Sequence, residues 1–176
     1  MTLRCLFSAV VSPLSADPSF ESGTNGVSGG ATPPTSVAAT SDNPYRGTQA
    51  LRVQFSASAG SGNTNSVLKS VGTIKGNAYV AVSFFAHAAA DTELRVRMNV
   101  NEYGDNMGTP RVSLPGGEWV RIGILWRNRD ATDVTGGLLL MFPQGTDAPL
   151  IDFDMLEIET GEMLDVLPVL QGYVGV

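Results

Sequence analysis

The sequence predicts an all-β chain folded as an antiparallel sandwich. Apolar residues alternate with polar ones in several short segments, which is the period of a half-buried strand. No stretch of ten residues carries a helical apolar stripe. The residues between the apolar segments are Gly, Pro, Asn, Asp and Ser, the types suited to turns, and they recur at the spacing of a sandwich or barrel.

Taken in order, Leu3–Val11 reads as a first strand or an extended arm. Pro18–Asn43 holds few large apolar groups and reads as loop. In Leu51-Arg52-Val53-Gln54-Phe55 apolar and polar residues alternate, so this is a strand with one face buried. Val67–Ile74 is a short strand, closed by a turn at Gly76-Asn77. Tyr79–Ala86 is apolar on both faces and rich in β-branched and aromatic residues, as a central strand is. Leu94, Val96, Met98 and Val100 alternate with Arg95, Arg97, Asn99 and Asn101. Tyr103–Pro110 is a polar loop and Pro115-Gly116-Gly117 a turn. In Trp119–Trp126 the side chains of Val120, Ile122, Ile124 and Trp126 share one face. Leu138–Phe142 and Phe153–Ile158 complete about eight strands.

The chain has 176 residues, which suits one domain. Hydrophobic residues make up 43%, enough for a packed core. Charged residues are only 16%, so the surface draws its polarity from Gly, Ser, Thr and Asn. The net charge is −6 and the only lysines are Lys69 and Lys75, which argues against a nucleic-acid binder. The longest uncharged apolar run, Ala78–Ala90, is too short for a membrane helix. Cys5 is the one cysteine, so no internal disulfide forms, and with His87 it matches no catalytic motif. Met1–Ala16 has the faint outline of a secretory leader, but Ser8, Ser12 and Pro13 interrupt it, and the expectation is a retained segment. The organisation expected is an N-terminal strand or arm over 1–16, the sandwich over 17–161 and an apolar tail over 162–176 that packs on its own domain or on a neighbour.

Five segments, in order, resemble a known family. They are Asp17–Gly23 (Asp-Pro-Ser-Phe-Glu-Ser-Gly), Tyr45–Val53, Tyr79–Ala86, Gly117–Arg121 and Phe153–Gly161. Together they resemble carbohydrate-binding modules of the family 4/9/22 type, which are jelly rolls of the galactose-binding-domain-like kind. The chain departs from the family in having Val27 where a tryptophan is usual, and Met155 in place of the second acid after Asp154. The resemblance implies a structural calcium held by Glu21 and Asp154 with backbone carbonyls near Arg46. Calcium takes oxygen ligands of this kind. The chain also resembles stand-alone sandwiches found as head-decoration or minor tail proteins of bacteriophages, in its lead residues and in having few lysines against nine arginines.

Sugars need aromatic rings for their C–H faces and planar polar groups for their hydroxyls. The candidates are Tyr103 in a polar loop, Trp126 at a strand end, and the outward row Arg95, Arg97, Asn99; Trp119 reads as a core residue. The acids Asp152/Asp154 and Glu157/Glu159 fall at i, i+2, a pairing that glycoside hydrolysis could use. With no nucleophile, phosphate-loop or metal motif beside them, they read instead as a solvated edge and the chain as a non-enzyme. The leading expectation is therefore a bacteriophage virion protein, head decoration or minor tail component. It would associate with copies of itself and other virion proteins through its termini, with no cofactor required. The alternative is a module that binds a bacterial surface polysaccharide.

Overall fold

The computed structural model describes residues 19–30, 34–57, 65–99, 111–143 and 148–162. The expected arm over 1–16, Cys5, Tyr103 and tail residues 163–176 lie outside them. Among the described residues there are ten strands: β1 (Val27–Gly29), β2 (Ser36–Thr40), β3 (Ala50–Gln54), β4 (Val67–Ile74), β5 (Tyr79–Ala88), β6 (Thr92–Asn99), β7 (Arg111–Leu114), β8 (Trp119–Arg127), β9 (Val134–Pro143) and β10 (Leu150–Gly161).

They form two five-stranded sheets, ordered β1-β4-β9-β6-β7 and β2-β3-β10-β5-β8, and every named pair is antiparallel. The fold is the predicted all-β sandwich. The predicted loop over Pro18–Asn43 contains β1 and β2, and β7 was likewise unanticipated. These three strands are short, and each sits at the edge of a sheet, where partner strands supply the order that local apolar content does not.

The core lies between the sheets. Leu51 and Val53 of β3, Val80, Val82 and Phe84 of β5, and Ile151 and Phe153 of β10 face Leu94 and Val96 of β6 and Leu139 and Met141 of β9. Phe84 packs against Phe153 with ring centroids 6.0 Å apart. Each of these side chains repeats at i, i+2, so the alternation read in the sequence is the alternation between core and outer face. The turn from β4 to β5 uses Asn77 at φ 61°, a left-handed conformation that Asn tolerates.

One irregularity matters for function. The register of β10 against β5 shifts between Asp154 and Glu157, and Met155 in that bulge has φ 52°. In a regular strand Asp152 and Asp154 would face one way and Glu157 and Glu159 the other. The bulge places Asp154 opposite Phe85 and Glu157 opposite Ser83. Phe85 and Ser83 share a face of β5, so all four acids lie on the outer face of this sheet.

Candidate functional site

The outer face of the β2-β3-β10-β5-β8 sheet carries a row set by register alone. Arg52 of β3 lies opposite Asp152 of β10, Asp152 opposite His87 of β5, and His87 opposite Trp119 of β8. The adjacent row is Asp154, Phe85 and Arg121. Asp152 is buried, and Arg52 grips both its oxygens, Nε to Oδ1 at 2.7 Å and Nη2 to Oδ2 at 3.0 Å. The guanidinium also reaches Asp42 Oδ2 at 2.7 Å, and these two carboxylates raise the Arg52 pKa, the bond to Asp152 first.

The segment between β2 and β3, residues 41–49, folds onto these rows. Tyr45 stacks on Phe85 with centroids 3.7 Å apart and planes 17° from parallel. Trp119 closes a corner against Tyr45, 5.7 Å away and tilted by 59°, and the His87 ring lies 5.3 Å from Trp119. Asn43 Nδ2 donates to His87 Nδ1 at 3.1 Å. Tyr45 is 41% exposed and Asp42 has a largely exposed side chain, so the corner opens to solvent with carboxylate, amide and imidazole groups at its rim.

Two carboxylates hold the segment down. Asp154, fully buried, accepts the Arg46 N–H at 2.8 Å and its neighbour Met155 N–H at 2.7 Å, and the Tyr45 amide also donates to it. Glu21 accepts the N–H groups of Thr48 (2.7 Å) and Gln49 (3.1 Å) and the Thr48 hydroxyl. Burial pushes the Asp154 pKa up, the three amides oppose that, and the nearby Glu21 charge adds to the rise. Two neighbouring carboxylates, one of them buried, suit an oxygen-ligated cation, and three N–H bonds leave Asp154 about one of its four lone-pair positions. Among the described residues no group of three or more His, Cys, Asp and Glu forms, so backbone carbonyls or water would complete such a shell.

The glycan-binding residues named from sequence are not brought together. Trp126 is only 6% exposed and packs in the core with Val120, Ile122 and Ile124, so its ring is not available as a platform. Trp119, expected in the core, belongs to the open corner. The two tryptophans differ by an odd number of positions on one strand, so they face opposite ways. Arg95 and Arg97 lie on the outer face of the other sheet. Asp42, Asn43, Tyr45, Arg52 and His87 were not named as binding residues; apart from Arg52 and His87 they lie in a loop, where no periodicity marks them. A cleft of about 590 Å³ near Lys75, Asn77, Tyr79 and Glu162 lies at the other end of β5 and β10 and offers one aromatic ring, Tyr79.

Solved structures share this architecture. The family 22 (CBM22-1) xylan-binding domain from Paenibacillus barcinonensis Xyn10C aligns over 86% of this chain and 96% of its own, with a TM-score of 0.65 and 19% identity. The fold is that of a carbohydrate-binding module. The C-terminal family 22 module of Clostridium thermocellum Xyn10B matches over 82% of this chain and 90% of its own (TM-score 0.60, 18% identity). A family 4 module matches over 82% and 97% (TM-score 0.57, 13% identity). No family profile matches the chain. No curated protein sequence matches it. At these identities the similarities establish the shared fold, and none of the three structures is a virion protein.

Proposed function

We propose that this chain is a non-catalytic module that binds a polysaccharide chain in the corner formed by Tyr45 and Trp119. The observation that carries the reading is the pairing of an exposed, angled aromatic surface with fixed hydrogen-bonding groups on the same outer sheet face. A sugar ring stacks its C–H face on an indole or phenol ring, and its hydroxyls bond to planar amide and carboxylate groups. Asn43, Asp42 and His87 are placed to do so, and Arg52 and Asp152 hold that rim in position. One similar module is named a xylan-binding domain and another was solved with xylohexaose, so these are the first ligands to test.

The test is affinity electrophoresis against a panel of soluble polysaccharides. Retardation by at least one neutral polymer is expected, with loss of at least tenfold in affinity, about 1.4 kcal/mol, in Trp119→Ala and in Tyr45→Ala. Binding by the wild type that both variants retain would refute the assignment of the site. A structural calcium between Glu21 and Asp154 belongs to the same proposal. Its role would be to pin residues 41–49 and the N-terminal loop to β10, without chemistry. Melting temperature measured with calcium and with chelator tests it, and equal values would dismiss the ion.

A further inference from the structure

The opposite sheet carries a cationic cluster that the sugar-binding corner does not use. β6 and β7 place Arg95 directly across from Arg111, and Arg97 lies two residues along the same outer face. Like charges directly opposite in an antiparallel pair cost stability. The chain has 17 acidic residues against 11 basic ones, yet among the described residues the one ion pair to the cluster is Glu93, 3.7 Å from Arg111. Among the described residues Arg95 and Arg97 make no ion pair, and the Nε of each is shielded from water without a hydrogen-bond partner. Their cross-strand neighbours on β9, Phe142 and Leu140, are buried and hold the aliphatic stems down. Arg111, on the edge strand β7, is well exposed beside them.

We infer that Arg95, Arg97 and Arg111 form a second ligand face, which binds the oxyanion groups of an acidic polysaccharide. Guanidinium forks match carboxylate or sulfate oxygens two at a time. The net charge of −6 weakens long-range attraction of any polyanion, so binding rests on contact with the cluster itself, and among the described residues no exposed aromatic ring stands beside it for nucleic-acid bases to stack on. This face is on the other sheet from Tyr45 and Trp119, so it stands or falls separately from the sugar-binding corner.

The experiment is a binding titration of the full chain with polygalacturonate, dextran sulfate, uncharged dextran and a single-stranded oligonucleotide, at low and moderate salt. Expected is salt-sensitive binding of polygalacturonate, dextran sulfate or both, and none of dextran. Preference between the first two tells carboxylate from sulfate. The triple variant R95Q/R97Q/R111Q should bind at least tenfold more weakly, with a melting temperature no lower than wild type because the repulsion is relieved. Glu93→Gln should bind more tightly, a gain that misfolding cannot produce. Trp119→Ala should leave this binding unchanged. The inference is overturned if neither acidic polymer binds, if the triple variant binds as the wild type does, or if the oligonucleotide binds as tightly as the polysaccharides.

Discussion

Gly47 is the position where the construction of the site can be tested most sharply. It has φ 71°, and a Cβ added there would overlap the Glu21 carboxylate that anchors Thr48 and Gln49. Gly47→Ala therefore carries two costs. The left-handed conformation costs roughly 1–2 kcal/mol for a residue with a Cβ. Displacing Glu21 loses bonds to a charged acceptor, each worth about 1.5 kcal/mol at the low end suited to an exposed site. With one of these bonds lost the sum is about 3 kcal/mol, or a fall of roughly 6–12 °C in melting temperature for a domain of this size. Gly117→Ala is the control, because Gly117 has φ 81° with open space around it and should show the backbone cost alone. Urea denaturation of both variants measures the difference. Polysaccharide affinity should fall at least tenfold in Gly47→Ala, because Tyr45, Asn43 and Asp42 sit on the loosened segment, and stay unchanged in Gly117→Ala. Equal destabilisation of the two variants would refute the idea that Glu21 locks the segment.

Two further outcomes follow from burial. Trp126→Ala should cost about 3–5 kcal/mol by opening the core, whereas Trp119→Ala should cost about 1 kcal/mol or less and act on binding, as paired denaturation curves would reveal. Burial, reinforced by the charge of Glu157, raises the Glu159 pKa above the 4.5 of a free glutamate. The folded state then holds that proton more tightly than the unfolded one, so the contribution is complete below pH 4.5 and lost as pH rises through the folded value. Glu159→Gln should accordingly be the more stable protein at pH 7, with the advantage shrinking as pH falls towards 4.5; an advantage that does not change with pH would count against the raised pKa.

The strands that pack the core were legible because burial on one face imposes a period of two on the residues. Trp119 and Trp126 illustrate how much that period contains: the apolar face of Val120, Ile122 and Ile124 includes Trp126 and excludes Trp119, so parity alone assigns one ring to the core and the other to the outer face. The acids of β10 show its limit, since the left-handed Met155 shifts the register and no pattern in the residues announces it. The binding corner was less legible still. Arg52 and Asp152 meet across 100 positions, and Asn43 and His87 across 44, through pairings that only the folded sheet creates. Glu21 and Asp154 came into view through family resemblance, and in the structure both carboxylates accept backbone N–H bonds from the segment that carries Tyr45.

The chain has only two tryptophans, so two indole N–H resonances report on the outer face and on the core. Titrating ¹⁵N-labelled protein with xylohexaose, or with whichever polysaccharide fragment the panel selects, should shift the Trp119 indole signal together with the amides of 41–49 and leave the Trp126 indole in place. Movement of the Trp126 signal alone, or binding that leaves the Trp119 signal unmoved, would contradict the assignment of the sugar-binding corner.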